Sequence, residues 1–118
     1  MTTVTEVRNF LNKVAAGFIP DDTIRVQINI AEEIVANEKG NSATEQLISQ
    51  AELIQAAYLS YLAYATYIER GTGRVPPPML EHLGRLEALA NKMLEYVKRG
   101  TVQSISAFAL TESLWSGE

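Results

Sequence analysis

The chain has no cysteine, one histidine and one tryptophan among its 118 residues. The lack of cysteine excludes disulfides, zinc–thiolate sites and thiol catalysis. The single histidine, His82, has no patterned acid or second histidine beside it, so neither a catalytic triad nor a Glu-x-x-His metal motif is expected. We therefore expect no enzymatic activity, no metal and no cofactor, and His82 is interpreted as a surface residue early in a helix.

Basic residues and long apolar runs are also scarce. Ten Lys and Arg against 14 Asp and Glu give a net charge of −4, whereas nucleic-acid-binding surfaces usually carry a basic stripe. The longest apolar-rich stretch, residues 51–68, contains Glu52, Gln55 and Ser60, a composition unsuited to a membrane span. The length indicates a single domain.

Apolar residues recur at three- and four-residue spacing over most of the chain, which predicts amphipathic helices. Thr3 and Glu6 have capping-box spacing at the start of a first helix that ends at Gly17. Ser42 and Glu45 repeat this spacing before a long helix over residues 43–69. A stiff, extended connector at residues 75–78, which include three prolines, precedes the last helix. That helix covers residues 79–99, and its buried face is expected to carry Leu80, Leu83, Leu86, Ala90, Met93 and Val97.

Residues 24–30, Ile-Arg-Val-Gln-Ile-Asn-Ile, alternate strictly between apolar and polar, which is typical of a strand. In a helix, Ile24 and Ile28 would share one face, while Val26, Ile30 and Ile34 would share the opposite face. No second strand of equal quality is available for pairing, so we predict a helix. A helix with two apolar faces needs two partners, and we expect the second face to contact another subunit.

Four tyrosines repeat every three residues in the long helix, at positions 58, 61, 64 and 67. Such a stripe drifts by about 60° per step around a helix. Tyrosines in this pattern are most often core residues whose hydroxyls reach the surface, but tyrosine is also enriched among interface anchors. We assign Tyr64 and Tyr67 to the predicted subunit interface.

The last segment, residues 101–118, is rich in apolar residues and contains no Lys or Arg. It either folds back onto the helices or docks onto another protein, by strand addition or as an anchor in a groove. We predict docking in trans, with Trp115 as the main anchor. The predicted partner-binding residues are Ile105, Phe108, Leu110, Leu114 and Trp115. The overall prediction is an all-α four-helix bundle over residues 1–100, with one long central helix, followed by an extended C-terminal docking tail over residues 101–118.

These elements resemble the head–tail connector proteins of tailed phages, also called adaptor or head-completion proteins. The resemblance covers about residues 1–100, and the strand-like character of residues 24–30 departs from it. The matching features are the opening Val-Thr-Glu-Val-Arg-Asn-Phe-Leu of residues 4–11, Asp21-Asp22-Thr23-Ile24, Ile28-x-x-Ala31-Glu32-x-x-Val35, the alanine-rich residues 51–65, a glycine-punctuated loop and a final helix with an extended C-terminus.

The resemblance implies a virion protein, assembled in the host cytoplasm, that forms a ring of about 12 subunits between the portal protein and a tail or stopper protein. DNA would pass through the channel without specific binding, and the C-terminal segment would reach a neighbouring ring or the portal. The negative net charge suits such a channel, because a basic lumen would hold DNA rather than let it slide.

Two other hypotheses remain open. One is a small cytosolic helical protein-binding module, such as a regulator or an antitoxin-like protein, which would form a small fixed oligomer. The other is a ligand-binding or metal–carboxylate bundle enzyme.

Overall fold

The computed structural model describes residues 2–14, 19–41 and 43–99, with the backbone alone for residues 13 and 14. The described residues contain four α-helices and no strand, which confirms the all-α prediction and gives a bundle-like fold. The C-terminal segment and its five predicted partner-binding residues lie outside the described residues, as does Gly17. The helices are α1 (Val4–Val14), α2 (Asp21–Glu38), α3 (Glu45–Thr72) and α4 (Pro77–Arg99).

Helix α3 is the longest, with 28 residues, and it packs against each of the other three helices. Its buried residues are therefore distributed around much of its circumference, and several are alanines that let neighbouring backbones approach closely. The core also contains large side chains from every helix. The most completely buried large side chains are those of Ile19, just before α2, and of helical residues that include Val7, Ile24, Val35, Leu47, Ile54, Leu86, Leu89, Met93 and Val97.

The predicted capping box at the start of α1 is confirmed. The Glu6 amide donates to Thr3 Oγ1 at 3.2 Å, and the Thr3 amide donates to Glu6 Oε1 at 2.9 Å. The guanidinium of Arg8 then joins α1 to the beginning of α2, because it donates to the Ile19 carbonyl at 2.7 Å and pairs with the Asp21 carboxylate.

Residues 24–30 are helical throughout, so the choice of helix over strand is confirmed. The face of α2 that carries Ile24, Ile28, Ala31 and Val35 is buried in the core. Burial of this face against α3 overrides the local preference of β-branched residues for strands, because a lone strand would leave its backbone groups unpaired.

The predicted start of the long helix is wrong. Its N-cap is Thr44, whose Oγ1 accepts a hydrogen bond from the Leu47 amide at 3.1 Å, and Ser42 lies outside the described residues. The helix also continues to Thr72, three residues beyond the expected end. Gly73 then adopts φ +89°, a left-handed conformation that favours glycine, and its amide donates to the Glu69 carbonyl at 2.7 Å.

The prediction of an extended proline connector is also wrong for Pro77 and Pro78, which form the first turn of α4. Proline is well suited there, because its fixed φ is helical and its missing N–H has no partner to lose. The amides of Met79 and Leu80 both donate to the Pro76 carbonyl, at 3.0 and 3.2 Å. Leu80 is 53% exposed rather than buried, whereas Leu86, Ala90, Met93 and Val97 are buried as expected and Leu83 is half-buried.

The C-terminal ends of α2 and α4 meet at Gly40. The Gly40 amide donates to the Val97 carbonyl at 3.0 Å. A Cβ at this position would collide with the backbone carbonyl of Lys98, so the approach requires glycine. The last described residue, Arg99, therefore lies beside the C-terminal end of α2.

Candidate interaction surface

The second apolar face of α2 is uncovered among the described residues. Val26 is 54% exposed and Ile30 is 40% exposed, while Ile34 is half-buried. Exposure of large β-branched side chains to water is unfavourable in free energy, and a partner that covered them would remove this cost. The sequence prediction of two opposed apolar faces is thus confirmed, and the assignment of the outer face to a subunit contact stays a prediction.

A groove of about 570 Å³ lies where the beginning of α2 meets the last third of α3. Ile19, Pro20 and Thr23 form one wall, and Ala63, Tyr64 and Tyr67 form the other. We call it the first groove. Since the start of α2 lies against the end of α3, the two helices run antiparallel, and the groove sits at the end of the molecule away from Gly40.

A second groove of about 400 Å³ continues along the same pair of helices. Gln27 contributes from α2, and Leu59, Leu62, Thr66 and Arg70 contribute from α3. Ala63 and Tyr67 line both grooves, so the two are contiguous. Tyr67 is 72% exposed, which makes it the most accessible large apolar side chain on this part of the molecule.

The exposed strip on α2 and the grooves lie on the same side of the molecule. At 100° per residue, Ile30 and Ile34 fall within about 60° of Thr23 and Gln27, the residues that line the grooves. Val26 lies about 40° further round. The predicted subunit-interface residues Val26, Ile30, Ile34, Tyr64 and Tyr67 therefore form one continuous region, which we call the α2/α3 surface.

The tyrosine stripe winds from the α4 side of α3 to the α2 side, as the three-residue spacing predicts. At one end, the Tyr58 hydroxyl donates to Glu87 Oε2 of α4 at 3.4 Å, and at the other Tyr67 lines the grooves beside α2. Burial, followed by the nearby Glu87 carboxylate, raises the pKa of Tyr58. Between the two ends, Tyr61 is buried and its pKa is raised by burial and by Tyr64.

His82 is half-buried rather than a surface residue, which corrects the sequence interpretation. Its ring stands edge-on to that of Tyr61, with centroids 6.4 Å apart, so it forms part of the contact between α3 and α4. Tyr61 also stands edge-on to Tyr64 at 6.5 Å. Such edge-to-face pairs stabilise the packing of neighbouring aromatic rings.

Among the acidic residues that the structure describes, Glu52 is the one whose pKa is clearly raised, first by burial and then by repulsion from the Glu32 carboxylate. The Thr2 hydroxyl lies 3.5 Å from Glu52 Oε1 and acts in the opposite direction. In the described part of the chain, no group of three His, Asp or Glu residues is arranged to hold a metal ion. Within the same residues, no helix has both the length and the apolar character needed to span a membrane.

Sequence reasoning did not identify the grooves. Their walls come from residues about 40 positions apart, and the register of α2 on α3 that brings them together leaves no local signal. Comparison of the chain with protein-family models, with curated proteins and with solved structures finds no match.

Proposed function

We propose that this chain is a non-enzymatic assembly protein, a head–tail adaptor of a tailed phage that forms a ring between the portal and the tail or stopper. The observation that carries the assembly role is the α2/α3 surface, where Val26, Ile30 and Tyr67 leave large apolar area in water on one side of the molecule. The phage-connector part of the proposal rests on the sequence resemblance described above.

The four helices would form one bundle around α3, which serves as a rigid block. Subunits would contact each other through the α2/α3 surface, and residues 101–118 would dock onto a neighbouring component. The net charge of −4 supports a channel wall that DNA passes without specific binding. A ring of this kind uses two different patches on each subunit and closes by rotation.

The test replaces Val26 and Ile30 with serine in the same chain. Both side chains are well exposed, so the double variant is expected to keep its thermal stability and lose self-association, measured by light scattering over a concentration series. Leu80→Ser is the matched control, because Leu80 is equally exposed on α4 and lines neither groove. Unchanged association of the Val26→Ser/Ile30→Ser variant would contradict the proposed interface.

The groove of about 570 Å³ favours the small protein-binding module as a second candidate, because a groove between two helices can accept an amphipathic segment of a partner. That candidate predicts a small, fixed oligomer, usually a dimer, at every concentration, with no larger closed species.

A further inference from the structure

We propose that the first groove is the receptor for the C-terminal segment of a neighbouring copy, with Trp115 as the side chain that enters it. This inference rests on the proposed function and deepens it, because it names both the component onto which residues 101–118 dock and the site that receives them. The groove is apolar, is lined by Ile19, Ala63, Tyr64 and Tyr67, and is uncovered among the described residues.

The donor and receptor lie at opposite ends of the subunit. Arg99 precedes the C-terminal segment and lies beside Gly40, where α2 has ended, whereas the first groove lies at the beginning of α2. The 18 residues of α2 separate the two by about 27 Å, at 1.5 Å per residue. Two complementary patches at opposite ends generate a head-to-tail contact, which is the heterologous arrangement that a ring requires.

The C-terminal segment is long enough for this contact. In an extended conformation, the chain from Arg99 to Trp115 spans up to about 50 Å, at about 3.3 Å per residue. That length is about twice the separation of about 27 Å between the end of α2 and the first groove, so the segment can reach a groove on a neighbouring copy. The groove volume of about 570 Å³ lies within the range of about 300–1,000 Å³ that encloses small molecules, so its volume is sufficient for an indole ring.

The charges of the two partners are complementary. Residues 101–118 carry Glu112 and Glu118 and no basic residue. The end of α3 beside the grooves carries Arg70, and Arg74 follows four residues later in the sequence. Arg70 makes no ion pair with any described residue. The one acidic residue between Tyr67 and Arg74 is Glu69.

The two carboxylates that lie in sequence between the lining residues Pro20 and Thr23 are already paired with arginines. Asp21 pairs with Arg8, and Asp22 pairs with Arg25 at 2.9 Å. An acidic segment that enters the groove therefore meets the positive charges of Arg70 and Arg74 on the α3 side and carboxylates that are paired with arginines on the α2 side.

The experiment uses two complementary full-length variants. Trp115→Ser keeps the groove and loses the anchor, and Tyr67→Asp keeps the anchor and places a negative charge at the groove. Since Tyr67 is 72% exposed, its replacement is not expected to disturb folding. Each variant alone is expected to be monomeric by analytical ultracentrifugation, and their mixture is expected to form a one-to-one complex that grows no further.

Trp115 is the sole tryptophan of the chain, and in the mixture it comes only from the Tyr67→Asp variant. Its fluorescence should shift to shorter wavelength on mixing, as the indole leaves water. A Trp115→Ser/Leu80→Asp double variant should form the same complex with the Tyr67→Asp variant, because Leu80 is outside the groove. A Trp115→Ser/Tyr67→Asp double variant lacks an intact groove as well as the anchor. Its affinity for the Tyr67→Asp variant should be lower by about thirtyfold or more, as expected for loss of a central anchor contact.

Failure of the two variants to combine would overturn the proposal, and so would a Trp115 that is already shielded in the isolated Tyr67→Asp variant, which indicates docking within one subunit. Closed rings formed by both single variants would support the adaptor function and reject this groove as the receptor. If the two variants formed a one-to-one complex but the wild-type chain formed only short oligomers, the result would support the groove as the receptor and would reject the ring.

Discussion

The amide of Gly40 donates a 3.0 Å hydrogen bond to the carbonyl of Val97, and this contact joins the C-terminal ends of two helices that lie far apart in sequence. It satisfies a carbonyl in the last turn of α4, where helical carbonyls lack intrahelical donors. It also fixes the place from which the chain continues beyond Arg99. The same contact explains why position 40 is glycine, since a Cβ would meet the Lys98 carbonyl.

We expect Gly40→Ala to lower the free energy of unfolding by about 1–3 kcal/mol, because the added methyl group forces α2 and α4 apart. Chemical denaturation monitored by circular dichroism measures this change. Gly84→Ala is the matched control of opposite sign. No atom lies within 4 Å of a Cβ built there, so the substitution is expected to stabilise the interior of α4 by up to about 1 kcal/mol. Equal effects of the two substitutions would contradict the Gly40 contact.

Thr44→Ala is expected to cost about 1 kcal/mol, because it removes the side-chain oxygen that accepts from the Leu47 amide at the start of α3. Thr44→Ser keeps the acceptor and is expected to retain most of the stability. Denaturation midpoints of the three proteins provide the measurement. If serine proved as harmful as alanine, the lost methyl group rather than the cap would be responsible.

Glu52→Gln is expected to stabilise the protein at pH 7 by no more than about 1 kcal/mol, since the group is partly screened by solvent. The folded-state pKa of Glu52 is raised above its ordinary value of 4.5, so the folded state binds this proton more tightly than the unfolded chain. Stability is therefore lost as the pH rises from about 4.5 through the raised pKa, and the variant avoids that loss.

The difference in melting temperature between the Glu52→Gln variant and the wild type should accordingly be largest at pH 7 and should disappear at about pH 4. Glu33 is an exposed residue of α2, so Glu33→Gln removes the same charge from an exposed site and serves as the control. A gap that persists unchanged at pH 4 would show that packing or helix propensity, rather than ionisation, causes the effect.

Much of the fold could be predicted because it depends on local patterns. The Thr3–Glu6 capping box and the buried face of α2 both follow from spacing along a helix. The helical state of residues 24–30 required a further argument, since their alternation favours a strand. The absence of a pairing partner, a property of the whole chain, decided it.

The sequence predictions are wrong where the structure depends on neighbouring elements, or where two local sequence signals compete. Ser42 and Thr44 are both suitable caps, and the pattern alone selected the wrong one. Prolines at 76–78 fit a connector as well as a first helical turn. Leu80 has the spacing of a core residue but lies at the exposed beginning of α4.

Part of the candidate interaction surface could likewise be predicted from the sequence, and part could not. The outer face of α2 was found from helical periodicity, so Val26 and Ile30 were identified. The groove walls at Thr23 and Ala63 were not, because they depend on the antiparallel register of α2 against α3. No sequence pattern within either helix carries that register.

Native mass spectrometry of the purified full-length chain over a concentration series, with negative-stain images of the same sample, tests the assembly role most directly. We expect a closed ring of about a dozen subunits whose population grows with concentration. A tight dimer with no larger species at any concentration would contradict the adaptor role and favour the small binding module.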